Sequence, residues 1–206
     1  MRILGLTGSI GMGKSTAVLL LRRMRVPVHD ADAAVHRLLG PGGGAVREVA
    51  RAFPSVVRNG VVDRQKLGAL VFGPQGKGLL RLLEGILHPR VRRETRAWLA
   101  AQARRRAPVV VLDVPLLFES TFPASYDSVV VVSASPTLQR QRVLRRPGMS
   151  PAKFADILSR QMPDAQKRRL ADTVIISALG YRRTGAGLRR ALRRLSRRRA
   201  WRPGYR

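Results

Sequence analysis

Apolar residues along this chain follow two alternating patterns. Short, unbroken β-branched or leucine-rich runs alternate with longer stretches in which apolar positions return every three or four residues. Residues 3–6 form the first run and lead into Thr7-Gly8. Beyond it Ala17, Val18, Leu20, Leu21 and Met24 recur at helical spacing, so a helix is expected from Lys14 onward. Residues 26–29 read as a second, short strand. The runs at 109–112 and 129–132 have the composition of parallel strands buried on both faces, and 173–176 reads as a fifth strand. Helical patterns separate these runs, which predicts a doubly wound α/β sheet. From about Ala33 to Ala103 no strand is legible. That stretch is expected to be a helical insertion, interrupted at 40–44 and at Phe72-Gly73-Pro74. There is no internal repeat.

The connection after the first strand changes the picture. Gly8-Ser9-Ile10-Gly11-Met12-Gly13-Lys14-Ser15 matches G-x-x-x-x-G-K-[ST] between an apolar strand and an amphipathic helix, the context a phosphate loop requires. Glycines there let backbone N–H groups turn toward phosphate oxygens, and the helix N-terminus adds partial positive charge. Lys14 can reach the β- and γ-phosphates, the Ser15 hydroxyl can hold magnesium, and Thr16 lies in the first turn. An ordinary glycine turn is the competing reading.

Asp30-Ala31-Asp32 follows the second strand, at the carboxyl end of the sheet, which borders the ligand crevice in open α/β folds. A carboxylate there can take or orient the proton of an attacking hydroxyl. The alternative is a helix cap; Asp32 is assigned the chemistry and Asp30 the cap. Asp113 ends the third buried strand, where a Walker-B acid would hold magnesium through water, with a structural role as the alternative. Arginines crowd residues 139–146, and a helix is expected from Ser150. A phosphoryl-transfer enzyme needs an arginine-bearing cover, so Arg142 and Arg146 are candidates against a background of solvated charge.

Composition narrows the class. The chain has 206 residues and no cysteine, which excludes disulfides and thiolate metal sites. Neither a membrane span nor a cleavable signal is legible, so a cytoplasmic protein is expected. Forty basic against twelve acidic residues give a formal charge of +28. Arginine is spread along the whole chain, however, which argues against one nucleic-acid face. The C-terminus is denser, with eleven arginines in 182–206 and no acid after Asp172. Leu188, Ala191, Leu192 and Leu195 predict a docked amphipathic helix. Residues 197–206 lack such a stripe and read as a solvated tail, with weak contact to RNA as the alternative.

Taken together these segments resemble the dephospho-coenzyme A kinase family. The resemblance runs from Ile3 to about Gly180. It rests on residues 6–16, on Asp30-Ala31-Asp32, on Leu87-His88-Pro89 with Val91, on 114–119 (Val-Pro-Leu-Leu-Phe-Glu) and on Arg160-Gln161-Met162-Pro163. It implies a P-loop nucleoside-triphosphate hydrolase fold with a five-stranded core (1–32, 104–137, 166–196), a helical coenzyme A-substrate insertion (33–103), a lid (138–165) and a basic tail (197–206). It also implies transfer of phosphate from ATP, with Mg2+, to the ribose 3′-hydroxyl of dephospho-coenzyme A, the last step of coenzyme A synthesis. By position, Gly8, Gly11, Met12, Gly13, Lys14, Ser15 and Thr16 would bind ATP, and Ser15 and Asp113 the metal. Asp32 and His88 would bind the acceptor; Lys14, Asp32, Arg142 and Arg146 would serve catalysis. Read without the family, His88 before Pro89 is a helix-breaking corner. The chain departs from the family pattern at 176–180, where an Asp-Asn pair is usual and Ile176-Ser177-Ala178-Leu179-Gly180 stands instead. The missing amide leaves base recognition to backbone groups, or relaxes it. Met12 replaces a small residue and is expected to turn its side chain away from the phosphates. Two rivals are another P-loop nucleotide or metabolite kinase, and a basic nucleic-acid-binding ATPase. The ten aromatics of the chain count against the second, because single-strand binding uses stacking side chains among the basic ones.

Overall fold

The computed structural model describes residues 1–73, 76–119 and 125–197. Its main sheet has five parallel strands, β1 (Arg2–Thr7), β2 (Val28–Asp30), β5 (Val109–Asp113), β6 (Ser128–Ser133) and β7 (Thr173–Ile176), in the order β2-β5-β1-β6-β7. The predicted α/β class and its strands are all present. The second strand starts two residues later than expected and ends one later. Val26 is drawn into the end of helix α1 (Lys14–Arg23), where its N–H donates to the Leu21 carbonyl at 3.1 Å and Arg25 takes a left-handed φ of 58°.

Two compact units make up the chain, one of residues 1–29 with 102–206 and one of residues 30–101. In the first, Leu4, Leu6, Val111 and Val130 pack with Leu21 of α1 and with Leu188 and Leu195 of helix α9 (Gly180–Arg197). The intervening strand residues Val110, Leu112 and Val131 are buried as well, so both sheet faces are covered. Helix α9 buries Leu188, Ala191 and Leu195, with Leu192 partly buried, as its apolar spacing predicts. Helices α6 (Pro136–Leu144), α7 (Pro151–Ser159) and α8 (Asp164–Leu170) fill the chain between β6 and β7; α7 begins after Ser150, whose hydroxyl caps it. Residues 198–206, nearly all of the predicted tail, lie outside the described residues. None of the described helices is long and apolar enough to cross a membrane.

The second unit holds α2 (Ala31–Leu39), α3 (Val46–Ala52), α4 (Arg64–Val71) and most of α5 (Gly76–Arg104) around Val49, Phe53, Leu67, Val71, Leu83 and Leu87. Two expectations are corrected here. A hairpin interrupts the helices: β3 (Val57–Arg58) pairs antiparallel with β4 (Val61–Val62) across Asn59-Gly60, both at positive φ. Pro89 does not break its helix either, because α5 runs through it. Leu83, Leu87 and Val91 bury one stripe on either side of the proline. Arg90 Nη1 donates to the Ile86 carbonyl at 2.7 Å, adding a side-chain bond on that turn.

Candidate active site

The phosphate loop connects β1 to α1 at the carboxyl end of the sheet. Gly11 and Gly13 carry φ angles of 75° and 93°, which side chains resist. Space is short as well as conformation: a Cβ on Gly11 would lie 2.5 Å from Val143, and one on Gly13 2.8 Å from Ser177. Met12 N–H closes a turn onto the Ser9 carbonyl at 3.1 Å. Among the described residues, no protein acceptor meets the N–H groups of Gly11, Gly13, Lys14 or Ser15. Four unclaimed N–H donors in a glycine loop that runs into a helix N-terminus make an anion cradle.

Behind the cradle, Lys14 Nζ lies 2.6 Å from Oδ1 of Asp113, which is 3% exposed at the end of β5. The two residues are 99 positions apart in sequence, and parallel pairing of β1 with β5 brings them together. Ser15 is exposed in the first turn of α1, with Thr16 half-buried beside it. A hydroxyl and a carboxylate are the hard oxygen donors that magnesium takes alongside phosphate.

Ser177, in the stretch that stands where the family usually has an Asp-Asn pair, has a role that sequence alone does not suggest. Its buried hydroxyl donates to the Met12 carbonyl at 2.7 Å and accepts from Arg142 Nη1 at 2.8 Å. Arg142 also approaches the Gly11 carbonyl at 3.4 Å. This arginine therefore stands at the loop, whereas Arg146 is exposed beyond the end of α6. Met12 is 2% exposed, and its sulfur accepts from Ala134 N–H at 3.1 Å.

The remaining candidates belong to the 30–101 unit. Asp30 caps α2, its carboxylate accepting from Ala33 N–H at 2.9 Å, and Asp32 is exposed in the first turn of that helix. His88 is half-buried in the middle of α5. Arg37 pairs with Glu94 and Arg90 with Glu48, so basic residues of this unit are partly tied down by its few acids.

Further contacts were not legible in advance. Ile10 N–H donates to Gln161 Oε1 at 3.1 Å, and Gln139 Nε2 donates to the Ile10 carbonyl at 2.8 Å. Glu119, in the 114–119 stretch, accepts from Met162 N–H at 2.8 Å and lies 2.7 Å from the fully buried ammonium of Lys167. No local pattern announces such pairings, because they join segments brought together only by the sheet order.

A family model described as dephospho-CoA kinase matches residues 2–179. A dephospho-CoA kinase of Paramagnetospirillum magneticum is 58% identical over 168 residues, covering 82% of this chain and 78% of its own length. One from Rhodospirillum rubrum is 54% identical over 182 residues, covering 87% and 85%. A crystal structure from Thermus thermophilus superposes with a TM-score of 0.81 at 34% identity, over 94% of this chain and 96% of the other. The dephospho-CoA kinase of Campylobacter jejuni shares the fold, with a TM-score of 0.60 at 20% identity over 94% and 97%. With a P-loop core, the Lys14–Asp113 pair and these relatives in agreement, the chain belongs to the dephospho-CoA kinase family.

Proposed function

We propose that this chain transfers the γ-phosphoryl group of ATP to the ribose 3′-hydroxyl of dephospho-coenzyme A, giving coenzyme A and ADP in the last step of coenzyme A synthesis. The observation that carries the ATP half is the cradle of four N–H donors on residues 11 and 13–15 beside Lys14. The acceptor half rests on the family.

In this reading Gly8, Gly11, Met12 and Gly13 shape the loop around the phosphates, and Lys14, Ser15 and Thr16 complete it. Lys14 leaves Asp113 for the β- and γ-phosphates, a short move for a flexible chain. Ser15 and Asp113 would hold Mg2+, which supplies charge neutralisation on the phosphate oxygens when bound. Asp32 accepts or orients the proton of the 3′-hydroxyl as its oxygen attacks phosphorus and the bond to ADP breaks. His88 contributes to the acceptor site. Arg142 and Arg146 offset negative charge on the transferring group from the 138–165 lid. A cytoplasmic setting is part of the proposal, because ATP is held there at the concentration a kinase needs. Residues 197–206 are proposed as a solvated tail, with weak, salt-dependent RNA contact as the alternative; truncation before Arg197 should leave turnover nearly unchanged, and loss of most turnover would refute that reading.

The test is ADP release with dephospho-coenzyme A, nucleoside monophosphates, single-stranded RNA or no acceptor. Release above background is expected with dephospho-coenzyme A alone. Stimulation by RNA but not by dephospho-coenzyme A would refute the proposal.

A further inference from the structure

We infer that Gln139 and Gln161 are positioning residues that pin the phosphate loop from both arms of the 138–165 segment, so that nucleotide affinity depends on them. The inference rests on the reading of residues 8–15 as the ATP loop.

The geometry concerns two planar peptides flanking Ile10. The Ile10 carbonyl and the Gly11 N–H belong to one peptide unit, whose atoms turn together. Gln139 Nε2 donates to that carbonyl at 2.8 Å and thereby fixes the direction of the Gly11 N–H, one of the four cradle donors. The Ile10 N–H and the Ser9 carbonyl form the preceding peptide. Gln161 Oε1 accepts from that N–H at 3.1 Å, while the Ser9 carbonyl closes the turn with Met12. Both peptides leading into the cradle are thus held by side chains from outside the loop.

The two glutamines come from opposite arms. Gln139 lies on α6, the outgoing arm; Gln161 lies between α7 and α8, on the return. The return arm is itself fastened, since Met162 N–H bonds Glu119 Oε1 and Glu119 faces the buried Lys167. A cavity of about 570 Å³ opens beside these contacts, lined by both glutamines with Ser9, Met12, Asp164 and Arg168. Val143 packs against Gly11 and Arg142 reaches the Gly11 carbonyl from the outgoing arm, but the two amides are the contacts that hold the peptides on either side of Ile10. Glutamine suits both places because its amide offers a donor to a carbonyl or an acceptor to an N–H.

The test replaces each glutamine by methionine in the full chain, keeping length and removing the hydrogen bond. ATP dissociation constants and both KM values are measured for Gln139→Met, Gln161→Met and the double variant. ATP affinity should weaken on the order of tenfold in each single variant, about what one hydrogen bond to a buried partner supplies. KM for dephospho-coenzyme A should stay within about twofold of wild type. The double variant should be little worse than the poorer single one, because both side chains act on one residue. A merely structural role would lower the active fraction and leave KM for ATP unchanged, which overturns the inference. If the methionine variants fail to fold, Gln161→Glu is compared with Gln139→Glu. Both add the same charge, but the first keeps its acceptor while the second sets an acceptor against a carbonyl, so only Gln139→Glu should lose most of its affinity. Equal losses would contradict the inference. Lys14→Ala separates the two levels: if it weakens ATP binding while the glutamine variants do not, the loop reading stands and this inference fails. If Lys14→Ala binds ATP normally, the loop reading itself is wrong.

Discussion

The phosphate loop and the helical unit of residues 30–101 solve different chemical problems, and their sequences show it. The loop works through backbone N–H groups, so its constraints fall on residue types that govern backbone shape. Gly11 and Gly13 sit at positive φ, each with a neighbour at 2.5–2.8 Å from where a Cβ would be. The 30–101 unit carries its candidate chemistry on side chains, Asp32 and His88, displayed by helices that many sequences could build. Backbone-borne function is therefore specific in sequence, and side-chain-borne function becomes specific only when a family supplies the context.

The sharpest way to break that contrast is Lys14→Ala. Removing the point charge at the β- and γ-phosphates should lower kcat/KM for ATP at least 10³-fold, with the circular dichroism spectrum unchanged. Near-normal turnover would show that the loop is not a phosphate site. Asp32→Asn probes the other region. It keeps the shape and hydrogen-bonding oxygen but cannot take a proton, so kcat should fall on the order of 10²–10⁴ while ATP affinity changes little. Asp30→Asn is the control with a smaller effect, since asparagine caps α2 about as well as aspartate. If Asp30 proves critical and Asp32 silent, the chemistry was assigned to the wrong carboxylate.

A smaller effect is expected from Leu87→Ala in the 30–101 unit. Leu87 is 7% exposed in that unit's core, and truncating it should destabilise the protein by about 3 kcal/mol in denaturant unfolding. At a temperature where the variant remains folded, KM for dephospho-coenzyme A should rise and ATP affinity should hold. A rise in KM for ATP instead would show that the two regions do not divide the substrates.

The smallest effect concerns Tyr126. Burial pushes its phenol up from 10.0 to about 12, and its hydroxyl has no hydrogen-bond partner among the described residues. Between those values the unfolded chain has lost a proton that the folded chain keeps, so stability falls as pH rises from about 10 to 12. Tyr126→Phe should remove that part of the fall and be neutral or about 1 kcal/mol stabilising at pH 8. A loss of stability at pH 8 would mean that the hydroxyl is satisfied.

What could be read from the sequence follows the same division. Valine runs such as 109–112 predicted buried parallel strands, and the loop motif located the start of α1 at Lys14. The 57–62 hairpin is not legible in the sequence, because strands of two residues are too short to show an alternation. Pro89 reads as a corner because local rules cannot see the buried leucines on the stripe that α5 continues across it. Ser177 read only as a missing asparagine, yet its hydroxyl bonds Met12, 165 positions away. Gln139, Gln161 and Lys167 belong to the same class: their meaning lies in partners chosen by the strand order.

The account's central claim is transfer from ATP to one defined oxygen, and phosphorus NMR of the reaction tests it most directly. With ATP, Mg2+ and dephospho-coenzyme A, ADP should appear together with an equal amount of a new phosphomonoester whose phosphorus couples to the ribose 3′ hydrogen. ADP with inorganic phosphate and no new monoester, or a monoester at another position, would contradict it.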